Sequence, residues 1–137
     1  MAAGQALPAR FRRQRVLIVG CGDVGQRVLR LWQRPGQHAH AARGPLVRAL
    51  SSSPQRFDSL RALGATPLLG NLDEPRSLRR LAGLAQRVVH LAPPAQPAAG
   101  TPSTLASRDL RTRHLLQALV CRAGQAPQLV YGSTSGV

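Results

Sequence analysis

The stretch Arg15–Trp32 reads RVLIVGCGDVGQRVLRLW. After Arg15 it runs Val-Leu-Ile-Val with no polar alternation, the pattern of a strand covered on both faces. From Asp23 onward, Val24, Val28, Leu29 and Leu31/Trp32 fall at helical spacing, which predicts a helix over Asp23–Arg34. Between the two lie Gly20, Gly22 and Gly25, spaced G-x-G-x-x-G. A strand passing straight into a helix through these glycines forms a phosphate cradle. Gly20 permits the tight turn, Gly22 lets a pyrophosphate approach the backbone, and Gly25 lets the helix pack on the strand. The unpaired N–H groups of the first helical turn and the positive end of its dipole then face the anion. A plain tight turn is the competing reading, but the strand–helix context favours a dinucleotide held by Gly20, Cys21, Gly22, Asp23, Val24 and Gly25.

Outward from this loop the same alternation repeats. Strands are predicted at Pro45–Ser51, Ala65–Gly70, Arg87–Pro93 and Pro127–Ser133. Helices are predicted at Ser53–Gly64, Asp73–Leu84 and Ser103–Gly124, the first with Ser53 as N-cap and Pro54 at the first helical position. Strands alternating with helices imply a parallel sheet wrapped on both faces by right-handed crossovers. The expected architecture is an α/β, Rossmann-type doubly wound sheet of five strands in the order 3-2-1-4-5. Residues 1–14 are expected to be a flexible basic lead-in that also fits a transit peptide, and 15–137 an incomplete nucleotide-binding domain.

Composition narrows the class. The chain has 137 residues, 43% hydrophobic and only 3% aromatic, enough for one domain with a Leu/Val/Ala core. No apolar run reaches transmembrane length. The net charge is +14, and all 19 basic residues are Arg. Because no aromatic residues are interleaved with them, a solvated basic surface is favoured over a nucleic-acid platform. Such a field also attracts an anionic ligand. Cys21 and Cys121 fit no metal spacing and read as reduced thiols of a cytoplasmic protein.

The end of the second strand bears on the identity of the dinucleotide. An NAD site carries an Asp or Glu there to accept from the ribose hydroxyls. This chain has VRALSSSPQR instead, placing Ser51, Ser52 and Ser53 at that position with Arg56 one turn on. Hydroxyls and a guanidinium suit a 2′-phosphate, which favours NADP over NAD. Arg56 reads equally as a solvent-facing helical residue. Asp58 falls within the following helix and reads as a surface residue.

Taken together, VLIVGCGDVGQRV, GATPLLGNLDEPRSL, VVHLAPP and LVYGSTSGV resemble the short-chain dehydrogenase/reductase superfamily. Its extended or atypical members, the NAD-dependent epimerase/dehydratase family, are most similar. The resemblance spans Arg15–Val137, the N-terminal half of a family member. It implies that the turn Asn71-Leu72-Asp73 meets the adenine amino group, with Asn71 where the family usually has Asp. It also implies that Leu91, Ala92 and Pro93 lie along the cofactor, with His90 either beside it or packed in the interior. Thr134, with Ser133 beside it, would hydrogen-bond the substrate oxygen. The family's Tyr-x-x-x-Lys pair is absent: there is no Lys, and Tyr131, the single tyrosine, is followed at the Lys position by Ser135.

Two functions follow as expectations: the NAD(P)-binding portion of a hydride-transferring oxidoreductase or epimerase, or a non-catalytic NAD(P) sensor. The fifth strand is expected to leave an apolar sheet edge exposed, inviting self-association.

Overall fold

The computed structural model describes residues 13–34, 44–95, 99–100, 109–120 and 126–132. Its centre is a five-stranded sheet, built from β1 (Arg15–Val19), β2 (Leu46–Ser51), β3 (Thr66–Leu69), β4 (Arg87–His90) and β5 (Gln128–Tyr131). All neighbours are parallel and the spatial order is β3-β2-β1-β4-β5, as the alternation predicts. Central β1 pairs Ile18 with Ala49 on one side and Val89 on the other, and Val16 to Val19 are buried. Pro67 lies in edge strand β3, where a missing N–H costs the ladder least.

Strand pleating divides the core into two layers. On one face Val16, Ile18, Val47, Ala49 and Val89 meet Leu29 of α1 (Asp23–Trp32) and Leu60 of α2 (Phe57–Ala62). On the other face Leu17, Val19, Leu50 and Val88 meet Leu78, Leu81, and Leu115 and Leu119 of α3 (Leu110–Leu119). Burying one such side chain is worth about 1.5–3 kcal/mol. Crossovers on both faces leave the C-terminal strand ends uncovered, and this is where the parallel sheet presents its loops.

Two predicted helices are shorter than their apolar patterns suggest. The Ser53–Gly64 segment begins as a 3-10 turn, Pro54–Arg56, before α2. Ser53 occupies the N-cap but its hydroxyl bonds Gln55 Oε1 (2.6 Å) instead of a helical N–H. The Asp73–Leu84 segment forms only a 3-10 turn, Pro75–Leu78, followed by successive tight turns through Leu81 and Leu84. Here the Ser77 hydroxyl competes for the backbone, accepting from Asn71 N (2.8 Å) and lying 2.7 Å from Glu74 O. Leu78 and Leu81 still reach the core, because a 3-10 turn stacks residues three apart. Of Ser103–Gly124, α3 is the described part, capped by the Asp109 carboxylate on Thr112 N. Residues 103–108 and 121–124, like the lead-in before residue 13, lie outside the described residues.

Candidate functional site

The turn after β1 is locked against the end of β4. Gly20 has φ +85°, a conformation that favours glycine, and a Cβ there would lie 2.3 Å from Ala92 N. Gly22 N donates to Gly20 O (2.9 Å) and closes the turn. Gly25 sits on the buried side of α1, where a Cβ would press to 3.2 Å from Cys21 Sγ.

Gly22 differs from both. Its φ is −79°, open to any residue, and a Cβ there would meet nothing within 4 Å. Nothing in the fold itself requires glycine at that position. The space beside it is open, at the position where the G-x-G-x-x-G pattern predicts a cradle. No side chain caps α1, and the N–H groups of Asp23, Val24 and Gly25 have no carbonyl four residues back within the helix. The Asp23 carboxylate turns along the helix to Arg27 (3.0 Å).

The strand ends surround a cleft of about 310 Å³. The β1 turn contributes Gly20, Cys21 and Gly22; the end of β2 contributes Ser51, Ser52, Ser53 and Arg56. Asn71 and Leu72 follow β3, and Leu91, Ala92 and Pro93 follow β4. Thus four separate sequence segments converge on one concavity, and they include most of the residues expected to hold a dinucleotide. Among the described residues, none that lines the cleft is acidic. Arg56 is exposed and meets no carboxylate among the described residues. Its charge draws the Cys21 thiol down, but burial dominates and raises the thiol above its usual range. Ser51 Oγ accepts from Ser53 N (3.2 Å), which folds the serine loop back on itself.

Several expected site residues do not line the cleft. Asp23 and Val24 are exposed, while Gly25 is buried against Cys21. Asp73 is held by Arg111, whose Nε and Nη2 reach its two oxygens at 2.8 and 2.7 Å. That bidentate bond holds the Asp73 carboxyl below its ordinary range. Ser133 and Thr134 lie outside the described residues.

Arg111 was not legible as a site residue. It lines the cleft from α3, and its Nη1 also donates to Pro93 O (3.2 Å), tying the β3 and β4 loops together. Nothing in its local sequence separates it from Arg108 and Arg113; only the fold brings it to the opening.

His90 takes the interior option. It is fully buried and does not line the cleft. Thr112 Oγ1 donates to Asp109 Oδ2, so at 2.8 Å it accepts a hydrogen bond from His90 Nε2. This leaves His90 Nδ1 as a buried acceptor without a donor among the described residues. The Tyr131 ring lies 5.2 Å from the imidazole, and its hydroxyl reaches toward Asp109 Oδ2 (3.4 Å). Burial lowers the His90 pKa, with Asp109's charge opposing. Burial pushes Asp109 up, but its Thr112 bonds, His90 and Tyr131 together hold it below the usual carboxylate value.

No protein-family model and no curated protein matches the chain. Solved structures do. The protein gox2253 is 24% identical with TM-score 0.52, covering 77% of this chain and 30% of its own. AtPrR2 in apo form is 19% identical with TM-score 0.50, covering 77% and 33%. Apo saccharopine dehydrogenase (L-Glu forming) from Saccharomyces cerevisiae is 13% identical with TM-score 0.54, covering 90% and 22%. These likenesses establish a Rossmann-like α/β fold, and the chain spans a third or less of each of these proteins. Among the described residues no helix is long and apolar enough to cross a membrane.

Proposed function

We propose that this chain is the nicotinamide-dinucleotide-binding part of an oxidoreductase, with NADP preferred to NAD. The observation that carries this reading is Gly22: its missing Cβ has no structural cause in the protein, and it opens onto a cleft that holds two arginines and no acid. In this reading the N–H groups at the start of α1 bind the diphosphate. Ser51, Ser52, Ser53 and Arg56 receive the 2′-phosphate, since a β2 end without a carboxylate neither repels it nor selects the free ribose hydroxyl. Leu91, Ala92 and Pro93 bound the cofactor on the β4 side, where Gly20 holds the two loops in register. Once bound, the nicotinamide supplies a hydride donor or acceptor for a substrate carbonyl or hydroxyl. A dehydrogenase among the structural neighbours agrees with that chemistry. The short-chain dehydrogenase/reductase superfamily, extended or atypical type, remains the assignment that the motifs support.

The test is titration of the full chain with NADPH and NADH, read by quenching of intrinsic fluorescence from Trp32. NADPH is expected to bind more tightly. Arg56→Ala should weaken NADPH about tenfold, the worth of a charge-assisted hydrogen bond, while changing NADH less than twofold. Absence of binding by both nucleotides would overturn the proposal. The second reading is a non-catalytic nucleotide sensor. Hydride transfer by a longer form of the protein would exclude it.

A further inference from the structure

We infer that the first turn of α3 is a pH-sensitive strap beside the cleft, and that a proton taken up by His90 unfastens it together with the Arg111 bridge between the β3 and β4 loops. Two sets of bonds leave this turn in opposite directions. Inward, Thr112 Oγ1 accepts from His90 Nε2 (2.8 Å) and donates to Asp109, whose other oxygen caps the helix on Thr112 N (3.1 Å). Toward the cleft, Arg111 reaches Asp73 of the β3 loop (2.7 and 2.8 Å) and Pro93 O of the β4 loop (3.2 Å). His114, on the same helix, adds a bond from Nδ1 to Leu72 O (2.7 Å). A single helical turn thus couples a buried imidazole to two loops that wall the cleft, and Arg111 itself lines it.

His90 is the group that can release this turn. Its side chain is fully buried, Nε2–H is committed to Thr112, and Nδ1 has no partner among the described residues. While neutral, that atom is an unmatched acceptor. Protonated, it becomes a donor on a buried cation, a far costlier orphan. The groups around the ring do little to hold that cation. Its strand partners are Val19 of β1 and Tyr131 of β5, whose ring stands 5.2 Å away. The core layer on this side of the sheet, with Leu17, Leu78, Val88 and Leu115, is apolar. On α3, Arg113 is exposed, and Arg111 and His114 are directed to the loops. Asp109 favours the cation by its charge, yet burial outweighs it and keeps the His90 pKa below its ordinary 6.5. Water must therefore reach the ring before it charges. Ladder bonds close the sheet on both sides of His90, from Leu91 N to Val19 O (2.7 Å) and from Gly132 N to His90 O (2.9 Å). The end turn of a ten-residue helix opens more easily than such a ladder. The strap is closed above about pH 6.5 and loosens as pH falls below it, and Arg111 leaves the loops as it lifts.

The experiment is amide hydrogen exchange of the full chain at about pH 7.5 and about pH 5, corrected for intrinsic rates. It is read by mass spectrometry in peptides covering residues 109–116, 71–74 and, as the measure of global unfolding, 16–19. The strap and β3-loop peptides are expected to lose protection about tenfold in acid, and at about pH 5 to exchange at least about tenfold faster than β1. In His90→Asn that acceleration should vanish. Strap peptides that exchange no faster than β1 in acid overturn the inference, since only global unfolding then exposes His90. Equal acceleration in the parent and in His90→Asn overturns it too. Should His90→Asn fail to fold, Thr112→Val keeps the imidazole and cuts the fastening. Its strap peptide should exchange about tenfold faster than the parent's at about pH 7.5, and parental protection there overturns the inference. The strap is a property of the chain alone, so loss of the dinucleotide reading leaves it standing.

Discussion

Alanine at Gly22 and alanine at Gly20 should separate ligand binding from folding, although the two positions are a residue apart. At Gly22 the new methyl group enters open space at an ordinary φ. Reduced freedom of the unfolded chain favours the variant by about 0.4–1 kcal/mol. Loss of a favourable N-cap residue opposes it by a similar amount. The net change in stability is expected within about 1 kcal/mol, or about 4 °C in Tm for a chain of this size. The methyl nevertheless occupies the cradle and holds the diphosphate off the α1 amides. Losing two charge-assisted bonds of about 1.5 kcal/mol each lowers affinity for NADPH on the order of 100-fold. At Gly20 the φ of +85° costs an L-residue about 1–2 kcal/mol, and the clash at 2.3 Å with Ala92 backbone adds more. Gly20→Ala should therefore lose more than about 3 kcal/mol and melt at least about 10 °C lower. Thermal melts followed by circular dichroism give the first quantity, and fluorescence titration gives the second. Gly22→Ala that binds NADPH like the parent refutes the cradle, and Gly20→Ala with an unchanged melt refutes the nesting of the two loops.

Two further outcomes follow from buried and exposed groups. The folded His90 pKa lies below its ordinary 6.5, so the unfolded chain takes up a proton that the folded chain resists. The resulting stability is fully present above about pH 6.5 and is lost as pH falls from there through the lower folded value. Wild-type Tm should fall more between about pH 7.5 and 5 than that of His90→Asn; parallel curves would show that His90 contributes nothing. Val130 and Tyr131 are 47% and 45% exposed on edge strand β5. Val130→Lys should reduce concentration-dependent association measured by sedimentation, since a charged edge resists strand pairing. A monodisperse parent chain would remove the basis for this expectation.

The sheet was legible because its signals are local. An aliphatic run such as Val16–Val19 admits little but a buried strand, and G-x-G-x-x-G at its end fixes both the turn and the helix that follows. Strand order then follows from the alternation and its crossovers. Helix extent was less legible at Asp73–Leu84, where spaced leucines fit a 3-10 turn as well as an α-helix. A side chain decided between them: Ser77 bonds the backbone that an α-helix would have used. In the site, Ser51–Ser53, Asn71–Leu72 and Leu91–Pro93 were named from motifs at strand ends, and they line the cleft. Arg111 was not, since its position depends on how α3 packs across the sheet through Leu115 and Leu119. Asp73 likewise meets a partner 38 residues away, which local sequence does not show.

The distribution of the few carboxylates explains why this cleft should prefer the more highly charged dinucleotide. The chain has 19 arginines and five acidic residues. Asp23 and Asp58, flanking the glycine turn and Arg56 in sequence, each pair with an arginine one helical turn on, at 3.0 Å. Both pairs are exposed and contribute little to stability. Their consequence is electrostatic: each acid is neutralised by its own helix and does not offset Arg56. Asp73 is neutralised by Arg111, and Asp109 is directed to Thr112. The cleft is thus left with an arginine that no carboxylate of the described chain balances. A 2′-phosphate supplies that missing charge, and the planar guanidinium can meet it with two parallel N–H bonds. On the proposed reading, the pairing pattern that disarms the acids would make NADP, with its extra phosphate, a better counter-ion than NAD.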